Sequence, residues 1–146
     1  MAEIRTRPPV VLLGGLTQSW AVVDRPLCLD FPFEGEMDWW QTKKCNTARI
    51  RCGAVGLSER RVLIAGGLSC SGSKAERSAE ILDPYTMEWT PVPPMLQPRL
   101  GCGCSTLGTA GERAIFTGGV GEGPECADGY AHRQTLLRLC NRPPSA

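Results

Sequence analysis

A diglycine at the end of a short apolar run occurs three times in this chain, at equal intervals. The three runs read VVLLGG (10–15), VLIAGG (62–67) and AIFTGG (114–119). Their glycine pairs stand at 14–15, 66–67 and 118–119, so that each interval is 52 residues. A regular period of about 50 residues indicates a repeat architecture, in which each copy is a small unit that packs on its neighbours.

The rest of each period repeats as well. The stretch MDWWQTKKCNTARIRCGAV (37–55) aligns with MEWTPVPPMLQPRLGCGCS (87–105), so that Trp39 matches Trp89 and Arg49 matches Arg99. The copies differ in length only at turn-like stretches, such as FPFEGE (31–36) against PYT (84–86). Insertions confined to turns are expected when the repeated elements are strands.

The repeated segments have the pattern of β-strands. Continuous apolar runs of four to six residues favour strands covered on both faces, although periodicity alone does not exclude a buried helix. Turn signals such as DPYT (83–86) and PVPP (91–94) divide the remainder, which predicts four strands in each period. Small residues fill 51–56 and 101–108, whereas Trp89 and Pro91 suit an outer edge strand. A sheet with a narrow inner and a bulky outer strand is a propeller blade.

The fullest copy, 61–103, resembles the kelch repeat. The residues that carry the resemblance are Gly66, Gly67, Asp83, Trp89, Met95 and Arg99. The other copies keep part of the set, with Gly14, Gly15, Asp30, Trp39 and Arg49 in the first and Gly118 and Gly119 in the third. The resemblance implies that these residues hold the fold and perform no chemistry.

The expected fold is therefore all-β, a partial kelch-type β-propeller of antiparallel four-stranded blades. It forms an open arc of about ten strands over 8–140, with three, four and three strands in portions 8–44, 49–93 and 99–140. Segments 1–7 and 141–146 are expected to be disordered tails. Closed propellers have about four to eight blades, so that an arc of this size leaves two unpaired flanks. Exposed sheet flanks favour self-association. Three explanations of the short arc stay open: the chain is a fragment of a longer protein, several arcs assemble, or the product is truncated.

Composition and charge exclude several other functions. The formal net charge is +1, and no apolar run is long enough for a membrane helix, so that we expect neither nucleic acid nor membrane as a partner. The eight cysteines lie partly among small residues and favour free thiols and a cytoplasmic location. No C-x-x-C pair occurs and the chain has one histidine, so that we expect no metal site, no cofactor and no catalytic residues.

Some kelch proteins are enzymes, including a copper radical oxidase and a sialic-acid mutarotase. The resemblance implies that the copper type needs paired histidines with tyrosines and a cross-linked cysteine. One histidine and two tyrosines, Tyr85 and Tyr130, do not supply that set. The mutarotase type needs a complete central pocket. The sequence therefore predicts a chain that is not an enzyme.

The expected function is that of a protein–protein interaction module. In kelch blades the loop after the diglycine and the loop before the arginine open on one face, where partners bind. These loops predict the partner-binding residues Trp20, Lys74, Arg77, Tyr130 and His132. The alternatives are a fragment of a kelch-type enzyme, either an oxidase or a sugar mutarotase, and a truncated remnant without independent function.

Overall fold

The structure, a computed structural model, describes residues 10–29, 39–70, 74–108, 113–121 and 135–138. Within these ranges the chain forms short antiparallel strands and one 3₁₀ turn, Ser58–Arg60. The all-β prediction is thus confirmed. The same ranges contain no helix of the length and apolarity needed to cross a bilayer. The predicted tails, 1–7 and 141–146, lie outside the described residues.

In chain order the strands are β1 (Val10–Leu12), β2 (Leu27–Leu29), β3 (Trp39–Gln41), β4 (Arg49–Ile50), β5 (Gly53–Gly56), β6 (Val62–Ala65), β7 (Leu68–Ser69), β8 (Ala79–Asp83), β9 (Glu88–Val92), β10 (Gly103–Leu107), β11 (Arg113–Thr117) and β12 (Thr135–Arg138). They pair into a first sheet β1-β2-β3, a central sheet β5-β6-β8-β9 and a third sheet β10-β11-β12. The three sheets contain three, four and three strands, as predicted. A two-stranded ladder, β4-β7, was not predicted.

The core lies between the central and third sheets. Leu63, Ala65 and Ile81 share one face of the central sheet, because they alternate along β6 and β8 with residues of the other face. Together with Ala114 and Phe116 of β11 they form one buried apolar cluster. Burial of large apolar side chains at this junction is the main source of stability that the described residues show.

The three diglycines all adopt a backbone conformation that favours glycine. Gly66 and Gly67 have φ of +71° and +91°, and the pairs 14–15 and 118–119 are similar. The turn also brings the chain very close to the previous repeat. A Cβ atom built on Gly67 would lie 2.6 Å from the carbonyl oxygen of Ile50. Glycine is therefore required at position 67 for two reasons: its φ is positive, and no room is left for a side chain.

This arrangement predicts that Gly67→Ala lowers the free energy of unfolding by about 3 kcal/mol, because the left-handed conformation and the contact with Ile50 both penalise a side chain. Gly56→Ala is the matched control, since a Cβ atom there meets no atom within 4 Å. Urea unfolding followed by circular dichroism measures both variants. Equal midpoints for the two variants would contradict the role of Gly67.

Candidate functional site

A buried ion pair joins the first repeat to the central sheet. Arg49 and Glu80 are each 2% exposed, and Nη2 of Arg49 donates to Oε1 of Glu80 at 2.7 Å. The Nη1 group of Arg49 donates to the carbonyl oxygens of Gly66 and Ser78 at 3.0 and 2.8 Å. One side chain therefore ties together the start of β4, the diglycine turn and the entry to β8.

Glu80 also fixes the loop ahead of β4. Its Oε2 accepts hydrogen bonds from the backbone N–H and the side-chain amide of Asn46, both at 2.8 Å. Its Oε1 accepts a third from the backbone N–H of Thr47 at 3.0 Å. A buried carboxylate is costly unless its acceptor sites are filled, and here an arginine and three N–H donors fill them. We name Arg49, Glu80, Asn46 and Thr47 the junction clamp.

The second junction repeats part of the clamp. Arg99 is fully buried, and its Nη1 donates to the carbonyl oxygen of Gly118 at 2.8 Å. In both junctions, therefore, the arginine reaches the first glycine of the next diglycine. Glu80 was not predicted as a site residue. The polar position in SAEILD (78–83) was its only signal in the sequence, and its partner lies 31 residues away.

The loops at one end of the sheets pack in pairs, in the same way in two repeats. In the first repeat, Cys45 N donates to the carbonyl of Asp24 at 2.9 Å. In the central repeat, Met95 N donates to the carbonyl of Arg77 at 2.8 Å and Arg99 N to that of Glu76 at 3.0 Å. Each loop after a diglycine thus contacts the loop that precedes the next arginine. In each of these two repeats the two kinds of loop therefore lie side by side.

Three of the predicted partner-binding residues are exposed at this end. Trp20 is 80% exposed in a tight turn after the first diglycine, and Lys74 and Arg77 are exposed in the loop between β7 and β8. Lys74 and Arg77 share one loop, and Trp20 lies in another. Tyr130 and His132 fall outside the described residues, so that their predicted role stays a prediction.

The other residues of the predicted repeat motif occupy distinct structural positions. Oδ1 of Asp83 accepts from the backbone N–H groups of Tyr85 and Thr86 and so closes the turn between β8 and β9. The indole N–H of Trp89 donates to the carbonyl of Lys43 at 3.0 Å, across the first junction. Trp39 is 53% exposed on the first sheet. Asp30 lies outside the described residues.

Five of the six cysteines in the described ranges are buried or half-buried. Burial raises the pKa of the Cys28, Cys45, Cys52, Cys102 and Cys104 thiols. A raised pKa keeps a thiol protonated at neutral pH, which makes it a poor nucleophile and a poor metal ligand. In the part of the chain that the structure describes, no group of three or more histidine, cysteine, aspartate or glutamate residues could hold a metal ion.

Comparisons with known proteins support the fold. No family model matches the sequence, and no curated protein matches it. The structure resembles that of a fungal alcohol oxidase of the AA5 family, solved in complex with copper, with a TM-score of 0.65 at 18% sequence identity. The match covers 90% of this chain and 31% of that chain. The chain therefore has a β-rich, propeller-like fold and spans less than a third of the oxidase that it resembles.

This likeness corrects the prediction that the chain is not an enzyme. The fold that it shares is that of an oxidase, and the prediction rested on the residue types present in one short chain. Because this chain spans only 31% of the oxidase, counting its histidines does not decide whether such an architecture carries catalysis. Its described residues do not fit a copper centre, since they contain no cluster of metal-binding side chains.

The junction clamp yields a direct prediction. Glu80→Ala should lower the free energy of unfolding by about 3–5 kcal/mol, because it leaves the buried guanidinium of Arg49 without its counter-charge. The matched control is Glu88→Ala, which removes an ion pair with Lys43 whose side chains are 60% and 62% exposed. That control should change stability by at most about 1 kcal/mol. Chemical denaturation compares the two, and similar losses would show that the clamp contributes no more than a surface pair.

Proposed function

We propose that the chain forms an arc of kelch-type β-propeller blades that binds a partner protein through the loops at one end of its sheets. The kelch assignment is supported by the positive φ of all three diglycines and by the buried arginine at each junction. In this proposal, portions 8–44, 49–93 and 99–140 are successive blades of one arc. The cytoplasmic location expected from the cysteines belongs to the proposal as well.

The observation that carries the proposal is the way in which Trp20 is presented. Its backbone has φ of +63°, a conformation that is uncommon for a large side chain. The turn around it is closed by three hydrogen bonds, of which Thr17 makes two with Ala21 and one with Trp20. A strained turn that holds an aromatic ring 80% exposed is suited to recognition, because tryptophan is one of the residues enriched among the energetic hot spots of protein interfaces.

The surroundings of this end indicate the chemistry of the partner. Lys74 and Arg77 are exposed cations in the adjacent repeat, and Leu96 is a second apolar side chain, 76% exposed. Leu96 lies in the loop before Arg99, which contacts the loop of Arg77. We therefore expect a protein partner whose surface offers an apolar pocket beside acidic side chains.

The test begins with affinity capture by the intact chain, followed by measurement of the dissociation constant with each purified candidate. Trp20→Ala should raise the dissociation constant of a true partner at least about tenfold, since loss of a buried aromatic anchor removes more than 1 kcal/mol of binding free energy. Tyr85→Ala is the matched control, because Tyr85 is 60% exposed in the turn between β8 and β9, at the opposite end of the central sheet. A capture profile that is the same for Trp20→Ala and Tyr85→Ala contradicts the proposal.

A second candidate is a segment of a kelch-type enzyme, in particular an oxidase. It is favoured by the match to the AA5 alcohol oxidase over 90% of this chain. Any centre of that kind would depend on residues outside the described ranges. His132 is the relevant one, because it is the single histidine of the chain.

An assay of hydrogen peroxide tests this candidate. The intact chain is supplied with Cu²⁺, oxygen and a primary alcohol; oxidation of the alcohol to an aldehyde transfers two electrons and two protons to O₂. This candidate predicts peroxide production above that of free Cu²⁺, and its loss in His132→Ala. Production equal to that of Cu²⁺ alone would exclude an oxidase centre in this chain.

A further inference from the structure

Among the described residues, the first and third sheets each have one face on which no other sheet packs. On the first sheet, cross-strand pairing places Val10, Leu29 and Trp39 in one row and Leu12, Leu27 and Gln41 in the next. We call these six residues the first open face. Its apolar members Val10, Leu12 and Trp39 are 48%, 56% and 53% exposed, whereas Cys28 on the opposite face is fully buried. Apolar side chains grouped in this way on one sheet face favour an interaction site.

The junction between the central and third sheets shows how such a face is covered within the chain. Gly53, the first residue of β5, leaves a hollow that the ring of Phe116 fills. A Cβ atom on Gly53 would lie 2.8 Å from Cε1 of Phe116. Phe116 is fully buried there. At this junction the ring of Phe116, which we call the knob, thus extends from the third sheet into a hollow at a glycine of the central sheet.

The first open face has an apolar side chain at the position of the knob, but this side chain is exposed. Leu12, Ile64 and Phe116 each stand two residues before a diglycine and occupy equivalent positions in the three sheets. Ile64 and Phe116 are 2% and 0% exposed, but Leu12 is 56% exposed. Among the described residues no further sheet packs on the first sheet at Leu12, which accounts for the difference, because the residue type is apolar in all three cases.

The third sheet has a glycine at the position of the hollow, and no described side chain of another sheet fills it. Gly103 begins β10 as Gly53 begins β5, and each pairs with the residue just before a diglycine, Thr117 and Ala65 respectively. A Cβ atom on Gly103 would meet only Thr117, at 3.8 Å or more. The face around it has Leu107 and Ile115 with exposed Ser105 and Arg113. We call it the second open face.

We propose that the second open face of one chain packs on the first open face of a second copy, with Leu12 of one copy in the hollow at Gly103 of the other. The contact continues the order of the internal junctions, in which the hollow-bearing face always meets the knob-bearing face. Because the two faces differ, the contact is head to tail. Two copies bring six sheets together, within the range of about four to eight that closed propellers use, whereas three copies bring nine. The proposed assembly is therefore a closed dimer.

The first experiment measures molar mass by size-exclusion chromatography with light scattering, over a concentration series of the intact chain. We expect a dimer of twice the 15.8 kDa chain mass. Leu12→Arg and Gly103→Leu should each raise the dissociation constant at least about tenfold, by placing a charge on the knob or filling the hollow. Leu96→Arg is the matched control, because Leu96 is exposed in the loop between β9 and β10 and belongs to neither open face, and it should leave the dimer intact. Circular dichroism confirms that each variant is folded.

A cross-linking experiment separates this contact from any other dimer. Chains with Leu12→Cys are mixed with chains with Gly103→Cys under mild oxidation by an aromatic disulfide, which accepts the two electrons and leaves as two thiols. We expect peptides that link position 12 to position 103, and few that link position 12 to itself. A monomer at all concentrations, a dimer that survives both substitutions, or an oligomer larger than a dimer overturns the proposal. Trp20→Ala should leave the dimer unchanged, so that loss of loop binding and loss of dimerisation are distinguished.

Discussion

The stacked arrangement depends on the burial of one arginine at each junction between repeats. Removing a guanidinium from water is costly, and the cost is offset only where its donors find well-placed acceptors. Arg49 meets this condition with the carboxylate of Glu80 and with the carbonyls of Gly66 and Ser78. Those carbonyls belong to backbone that is in place only when β6 and β8 have formed. The clamp therefore couples the order within the central sheet to the position of the preceding repeat.

Polar and apolar contacts have different roles in the stack. The apolar cluster around Leu63 and Phe116 supplies burial, which is strong but tolerates sliding of one sheet on another. The clamp supplies little net free energy, but a displacement of a few ångströms would leave buried charges without partners. The glycine hollow at Gly53 adds a steric constraint of the same kind. Register between neighbouring sheets thus comes from Arg49, Glu80 and Gly53, and stability from the apolar rows.

The sequence was sufficient for the local elements and for their order. The diglycines at equal spacing identified three turns, and all of them have positive φ. The small residues of 51–56 and 101–108 identified the strands that come close to a neighbouring sheet. Glu80 could not be recognised, because a single charge in an alternating strand suits a solvated face as well as a buried one. Only the packing of the loop that contains Asn46 and Thr47 decides between the two.

The sequence also could not predict that equivalent residues differ in exposure, since exposure depends on whether a neighbouring sheet is present. The catalytic prediction was wrong for a related reason, because it treated the residue content of one chain as a property of the whole architecture. Stacked repeats build their surfaces from several units, so that a site can depend on more than one of them.

One substitution shows how the terminal sheet differs from an internal one. Leu27 pairs with Leu12 as Glu80 pairs with Ile64, so that a leucine stands where the central sheet has its buried carboxylate. An arginine from a covering sheet would therefore find no counter-charge at this position, in contrast to Arg49 in the junction clamp. Such a cover is held by apolar contact and by shape, with its polar groups at the rim. The first sheet thus lacks the ion pair that specifies the junction of Arg49 with Glu80, and what it offers to a covering sheet is its apolar rows and their shape.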